Sequence, residues 1–244
     1  MFEHNSISVI LPAYNEEKNI RKSVTDIYSY LINKFKVFEI IVVSDGSTDN
    51  TPDIVGGLSR KLKNIRLVVH NKNKGYGATL RSGFNTARND LIFYTDSDNQ
   101  YDISDLNKLL KLIGGFDIVA GYRIKRQDPW ARIFIANVYN LIIEILLGLT
   151  TKDIDCSFKL YRKGVIKSMN LKSKTGLIDA EILIKAKKAG YKIGQVGVKH
   201  FPRVKGQTIY ETGPRNKIFA LVKPSVVINI FKEIKELWPE LRRR

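Results

Sequence analysis

Carboxylates gather at three points where an apolar run gives way to turn residues. Pro12-Ala13-Tyr14-Asn15-Glu16-Glu17 closes the run 7–11, Ser44-Asp45-Gly46-Ser47-Thr48-Asp49 closes 38–43, and Asp96-Ser97-Asp98-Asn99-Gln100 follows 91–94. In an extended segment residues i and i+2 point to the same side, so Asp96 and Asp98 can converge on one point. Carboxylates paired in this way suit a hard divalent cation, Mg2+ or Mn2+, and Gln100, two residues on, can add a carbonyl oxygen. The plainer reading of this stretch is a polar turn, with Asp102 or Ser104 capping the next helix. For Asp49 the plainer reading is preferred, because Ser-x-x-Asp is a common turn and helix cap. For Asp45 it is not.

Other candidate chemistries fail on spacing. Asn73-Lys74-Gly75-Tyr76-Gly77-Ala78-Thr79-Leu80 would need glycine at position 80 to be a dinucleotide fingerprint, and the chain has no Walker A sequence. What remains is the glycine-rich start of a helix, where Lys74 and backbone N–H groups are available to a phosphate. The single cysteine, Cys156, rules out a disulfide framework and a cysteine-based zinc cluster. His4, His70 and His200 are too few and too scattered for a histidine metal site. Such cysteine usage fits a reducing, cytosolic compartment.

The elements that must position these residues follow from periodicity. The runs 7–11, 38–43, 65–69 and 91–94 are β-branched or aromatic and nearly unbroken, as in strands covered on both faces. Between them, 16–33, 48–62 and 75–89 have helical spacing, so the pattern predicts an α/β fold with an open, mostly parallel sheet. In such a sheet ligands collect at the carboxyl ends of the strands, where the three acidic stretches lie. Further strands are expected at 117–121, 156–161 and 193–198, and a helix at 179–189 stopped by Gly190. With 43% hydrophobic residues in 244, the chain can bury a sizeable core. No repeat or low-complexity linker divides it, so one catalytic domain over 1–212 is expected, followed by a basic amphipathic helical tail over 213–244.

The charge is lopsided: 41 Lys and Arg against 24 Asp and Glu, a formal +17. An anionic partner is implied, whether nucleic acid, anionic lipid or a phosphorylated small molecule. A nucleic-acid module is disfavoured because no RRM, zinc or arginine-rich signature is present. The N-terminus shows no secretory signal. Residues 133–149 form the most apolar stretch, but Asn137, Asn140 and Glu144 interrupt it, so a buried or interfacial helix is expected rather than a spanning one. From Arg215 onward apolar residues alternate with lysines and end on Arg242-Arg243-Arg244. That pattern fits equally a helix lying on an anionic membrane and one packed on the domain with a solvated basic face. Pro224 predicts a break or kink nearby.

Taken together, the motifs resemble those of family 2 inverting glycosyltransferases of the GT-A fold, a Rossmann-like architecture. The chain is most similar to the group of polyprenyl-phosphate sugar synthases, the dolichol-phosphate mannose synthases and glucosyltransferases. The resemblance rests on Pro12-Ala13-Tyr14-Asn15-Glu16, Asp45-Gly46-Ser47-Thr48-Asp49, Asn73-Lys74-Gly75 and Asp96-Ser97-Asp98-Asn99-Gln100. It continues through Gly121-Tyr122-Arg123, Asp153-Ile154-Asp155-Cys156-Ser157-Phe158-Lys159-Leu160, Ile178-Asp179-Ala180-Glu181 and Arg203-Val204-Lys205-Gly206-Gln207-Thr208. It implies that Pro12, Tyr14, Glu16, Asp45, Lys74 and Asp96 bind the nucleotide sugar. Asp96, Asp98 and Gln100 would hold Mg2+ or Mn2+, and Arg123, Arg203 and Lys205 would grip the acceptor phosphate. Asp98, Arg123, Asp153 and Arg203 are then the expected catalytic residues.

The implied activity is inverting transfer of a hexose from a UDP- or GDP-linked sugar to a polyprenyl (dolichyl) phosphate, with the protein held peripherally at the cytosolic face of a membrane. A lipid phosphate is already an ionised nucleophile and needs no general base. The alternative, a glycan or other hydroxyl acceptor, would need a carboxylate base, with Asp153, Asp155 or Asp179 as candidates. Two departures stand out. Ser157 replaces a usual glycine, implying a less tightly turned backbone. Ile209 stands where a lysine often follows the last Ser/Thr, leaving Lys205 as the candidate for that phosphate contact.

Overall fold

The computed structural model describes residues 6–124, 138, 140–145, 148–203 and 224–242. Seven strands form one sheet: β1 (Ser6–Ala13), β2 (Val37–Asp45), β3 (Ile65–His70), β4 (Leu91–Thr95), β5 (Ile118–Ile124), β6 (Phe158–Arg162) and β7 (Ile193–Lys199). Their order is β3-β2-β1-β4-β6-β5-β7. All neighbouring pairs are parallel except those of β6, which runs antiparallel to both β4 and β5. The expected α/β architecture with a mostly parallel sheet is present.

Both faces of the sheet are buried, which explains the unbroken apolar runs. Along β1 the side chains of Ile7, Val9 and Leu11 face one core, while Ile10 faces the other. The first core is closed by α1 (Ile20–Ile32), α2 (Thr51–Lys61) and α4 (Leu106–Leu112). In α1, Ile20, Val24, Ile27 and Leu31 recur at steps of three and four and are all buried, the single stripe that a surface helix needs. Each such side chain contributes about 1.5–3 kcal/mol by leaving water. The second core is closed by α3 (Tyr76–Thr86), α5 (Lys163–Lys167), α6 (Leu177–Lys188) and α7 (Pro224–Leu241). Helix α6 is buried nearly all round, and Gly190 beyond it takes φ +80°, the left-handed stop expected of it.

Helix α7 is described from Pro224 onward. Ile234, Leu237 and Leu241 of this helix are buried in the second core, while Ile228 and Phe231 are exposed. Among the described residues no helix is long and apolar enough to cross a membrane. Residues 133–137, 139, 146 and 147 of the apolar stretch, and the segment 204–223 that includes Lys205 and Ile209, lie outside the described residues; of the rest, 140–145 are helical, with Ile143 buried and Leu141 and Ile145 exposed.

Candidate active site

The strand order β2-β1-β4 sets the three acidic strand ends side by side, and short hydrogen bonds stitch them together. Asn15 adopts φ 55°, which lets its N–H reach Ser47 Oγ (3.1 Å) while its Oδ1 accepts from Thr48 N (2.8 Å). Glu16 N donates to Thr51 Oγ1 (2.8 Å), and Glu17 N to Asp49 Oδ2 (3.0 Å). Ser97 Oγ donates to the carbonyl of Pro12 (2.8 Å). Asp49 also accepts from Thr51 N (3.0 Å) at the start of α2, so the capping role preferred for it holds. Burial works to raise its pKa, but hydrogen bonds from Thr51 and Glu17 outweigh that and lower it. Asp102 caps the turn before α4 through Ser104 N (2.9 Å).

Asp45 does something else. Its carboxylate accepts from Lys74 N and Gly75 N, both at 2.9 Å, and lies 2.6 Å from His70 Nδ1. His70 Nε2 is 2.8 Å from Ser82 Oγ. With Nδ1–H donating to Asp45 and Nε2 accepting from the Ser82 hydroxyl, all three groups are satisfied. Sequence reading dismissed His70 as one of three scattered histidines. The signal for it is the β2–β3 register, which pairs Asp45 with His70 directly. The side chain of Lys74 is exposed beside this turn. Tyr14 is half-buried at the end of β1, beyond the buried Pro12.

Asp96 and Asp98 sit in a tight turn rather than an extended strand end, and Asn99 takes φ 62°. Both carboxylates remain close enough to repel each other. Burial and the charge of Asp98 push Asp96 up to about 7, against hydrogen bonds from Ser157 and Tyr76 that pull it down. Tyr76 OH donates to Asp96 Oδ1 (3.1 Å) and lies 3.2 Å from Ser157 Oγ. Ser157, noted as a departure at a usual glycine, thus adds a hydroxyl to the Asp96 environment. Burial also raises Asp98, against the opposing charge of Arg203. Arg203 bridges two of the acidic strand ends: Nη2 is 2.5 Å from Glu16 Oε1 and Nη1 is 3.3 Å from Asp98 Oδ2. Glu16 is raised by burial, with Asn19 and Arg203 working the other way.

Arg203 is brought here by Gln100. The backbone pairs Tyr101 with His200 in a bridge, Phe201 N donates to Gln100 O (2.8 Å), and Gln100 Nε2 donates to Phe201 O (2.9 Å). The segment 200–203 is therefore zipped onto the turn that carries Asp98. Gln100 lies next to the carboxylate pair, with its amide N–H directed to that segment.

Two further expected residues hold each other. Arg123 Nε and Nη2 each lie 2.7 Å from an oxygen of Asp153, a buried bidentate pair that favours the charged guanidinium against burial. Asp179 accepts from the fully buried Lys159 Nζ (2.6 Å) and from Tyr94 OH. Lys159 also donates to the carbonyls of Ile154 (2.9 Å) and Cys156 (2.6 Å). Asp155 stands apart from these pairs. Burial, then the charges of Asp179 and Asp153, push its carboxyl up to about 7. The structure thus gathers Pro12, Tyr14, Glu16, Asp45, Asp96, Asp98 and Gln100 on neighbouring strand ends, brings Arg203 onto them, and pairs Arg123 of β5 with Asp153, which precedes β6.

Against known proteins, the sequence profile described as glycosyl transferase family 2 matches residues 8–169, about two thirds of the chain. The chain belongs to glycosyltransferase family 2. A family relative, the dolichyl-phosphate beta-glucosyltransferase of Trichomonas vaginalis, is 32% identical over 79% of this chain and 65% of its own length. Another, the undecaprenyl-phosphate 4-deoxy-4-formamido-L-arabinose transferase of Serratia proteamaculans, is 29% identical over 67% of this chain and 51% of its own length. The chain spans about half to two thirds of these curated relatives. The glucosyl-3-phosphoglycerate synthase of Mycobacterium tuberculosis, solved with Mn2+, UDP and glucosyl-3-phosphoglycerate, superposes with a TM-score of 0.66 at 19% identity over 83% of this chain and 73% of that one. That likeness shows the fold, GT-A.

Proposed function

We propose that this family 2 glycosyltransferase moves a hexose from a UDP- or GDP-linked sugar to a polyprenyl phosphate, with inversion and with help from Mg2+ or Mn2+. The observation that carries the reading is the convergence of Asp96, Asp98, Glu16 and Arg203 beside the Asp45 turn, in a chain whose relatives are named for dolichyl- and undecaprenyl-phosphate transfer. In this reading Pro12, Tyr14, Glu16, Asp45 and Lys74 take the nucleotide.

The donor set fits a divalent ion that arrives with its substrate. Among the described residues no group of three or more His, Cys, Asp or Glu side chains is built to hold a metal. Two buried carboxylates, Asp96 and Asp98, with Gln100 at hand, would supply part of an oxygen shell that diphosphate and water complete, the usual habit of Mg2+. The ion would supply charge stabilisation to the leaving diphosphate. Arg203 adds a planar fork of donors for the same phosphates or for the acceptor, with Lys205 as its neighbour in sequence. The acceptor phosphate oxygen forms a bond to the anomeric carbon as the bond to the diphosphate oxygen breaks, and the electron pair leaves with the nucleoside diphosphate.

The engagement of two candidate bases favours the lipid acceptor. Asp153 is tied to Arg123 and Asp179 to Lys159, so two of the three carboxylates considered for a hydroxyl acceptor are engaged in buried ion pairs. Asp155, raised to about 7, keeps that second reading testable. In the lipid reading residues 1–212 carry the chemistry and 213–244 add contact with the cytosolic membrane face, where Ile228 and Phe231 are exposed beside Lys232 and Lys235. Incubation with a panel of labelled UDP- and GDP-sugars, polyprenyl phosphate and Mn2+ should place label in the lipid phase. Label that reaches only a soluble hydroxyl acceptor, and does so only with Asp155 intact, would replace this reading with the alternative.

A further inference from the structure

Helix α7 reaches the donor edge through Glu233. The half-buried Glu233 accepts at Oε2 from Ser173 Oγ (2.7 Å), Thr175 Oγ1 (2.7 Å) and Thr175 N (3.3 Å), and at Oε1 from Lys174 N (2.7 Å). Three consecutive loop residues thus converge on one carboxylate of the C-terminal helix. Charge-assisted bonds of this kind are the strong ones. The start of the same loop is held by Glu181 of α6, which accepts from Lys172 N (2.9 Å) and Ser173 N (2.8 Å).

The other side of this loop is the surface on which the glycine-rich start of α3 rests. Gly77 N donates to Lys174 O (2.9 Å), and Arg81 donates to Ser173 O. The approach is too close for any side chain. A Cβ on Gly77 would lie 2.4 Å from Ser173 O, and one on Gly75, at φ +94°, would lie 2.4 Å from Lys174 O. From this turn two bonds enter the site: Gly75 N to Asp45 Oδ2 (2.9 Å) and Tyr76 OH to Asp96 Oδ1 (3.1 Å). Both glycines of the Gly-x-Gly sequence therefore have a local reason, which is backbone against backbone.

We infer that Glu233 is a positioning residue for the donor: by pinning 173–175 it fixes the Gly75–Gly77 turn, and with it Asp45 and Tyr76, in the arrangement that takes a nucleoside diphosphate. The inference rests on the donor site proposed above. It makes α7 part of that site, although no residue of the helix is placed in contact with substrate.

The test is calorimetric binding of UDP and of GDP with Mn2+ to the full chain, alongside steady-state kinetics. Glu233→Ala should weaken binding of whichever diphosphate the wild type takes by about tenfold, the scale of one charge-assisted hydrogen bond. Donor KM should rise with it, while acceptor KM stays within about twofold. Glu236→Ala removes the same charge from an exposed position of the same helix and should leave diphosphate binding unchanged. If Glu233→Ala does not fold, Ser173→Ala and Thr175→Val each remove one arm of the clamp, with an expected loss of about threefold. Unchanged diphosphate binding in the folded variants overturns the inference, as does a parallel rise of donor and acceptor KM, the mark of general loosening. A wild type that binds neither diphosphate with Mn2+ overturns the donor site itself, a separate result.

Discussion

Arg203 offers the sharpest test of the site, because its removal should move two measurable quantities in opposite directions. Its guanidinium lies 2.5 Å from Glu16 Oε1 and 3.3 Å from Asp98 Oδ2, and all three side chains are largely shielded from solvent. At about 4 Å and an effective dielectric near 20, one such pairing is worth about 4 kcal/mol before desolvation is counted. Arg203→Gln leaves two carboxylates, already raised by burial, without their cation. Breaking a buried pair on one side costs about 3–5 kcal/mol, and partial solvent access here places the expected loss of stability near 2–4 kcal/mol at pH 8. Arg203 lowers the pKa of both partners, so without it both rise further. The folded variant then binds protons that the wild type does not, and its deficit shrinks as pH falls.

A divalent ion should do for these carboxylates what the arginine did. On the proposed site, Mn2+ in the wild type would share Asp98 with a guanidinium, and in Arg203→Gln it would not. Mn2+ titrated alone into the variant at pH 8 should bind about tenfold more tightly, roughly a third of the gross pairing energy. Sugar transfer should nevertheless fall by about a hundredfold or more, the usual cost of losing one charge-stabilising donor. Urea melts, Mn2+ calorimetry and a lipid-extraction assay read the three effects. Weaker Mn2+ binding in the variant, or transfer at the wild-type rate, would refute the proposed sharing of one site by the arginine and the ion.

Three other outcomes follow from the structure. Asp155, ordinarily near 3.8 but pushed up to about 7, keeps a proton between those values that the unfolded chain releases, so stability declines as pH rises through that window. Asp155→Asn removes the penalty: with some solvent contact trimming the full shift, it should gain about 1–3 kcal/mol at pH 8 in urea melts and nothing below pH 4. A pH-independent difference would contradict the assignment, and transfer to lipid phosphate should survive the change. Ile228→Ser with Phe231→Ser strips the exposed apolar residues of α7 and should cut flotation with anionic vesicles about tenfold or more. Wild-type protein that ignores such vesicles at low salt would argue against any membrane role for this face. Finally, UDP or GDP binding in the presence of EDTA should be at least about tenfold weaker than with Mn2+, and equal binding would remove the metal from the proposed mechanism.

Much of the scaffold was written in local pattern. Runs such as Ile40-Ile41-Val42-Val43 fit strands covered on both faces, and both faces are covered. The acidic turns stand at strand ends because only there can polar chain leave the core. Direction and pairing were not legible. Nothing in Phe158-Lys159-Leu160-Tyr161 marks it as the one antiparallel strand between β4 and β5, since alternation is blind to strand direction. A charged side chain likewise does not announce its partner. Arg203 meets Glu16 across 187 positions, and Lys159, which looks like an ordinary strand lysine, is fully buried on Asp179.

Those hidden pairings change what the net charge means. Among the described residues, Arg203, Arg123 and Lys159 are each held by carboxylates, so three of the cations nearest the chemistry are already balanced. The site itself is acidic, with Glu16, Asp45, Asp96 and Asp98 on neighbouring strand ends. Among the described residues the positive charge is therefore not concentrated on the acidic strand ends, and exposed lysines such as Lys232 and Lys235 on α7 face outward. Among the described residues, a diphosphate beside these carboxylates meets one shared arginine and the exposed Lys74, so positive charge brought with it would lower the repulsion. On the proposed donor site that positive charge is the divalent ion, and exposed lysines such as Lys232 and Lys235 remain for the proposed contact with an anionic membrane.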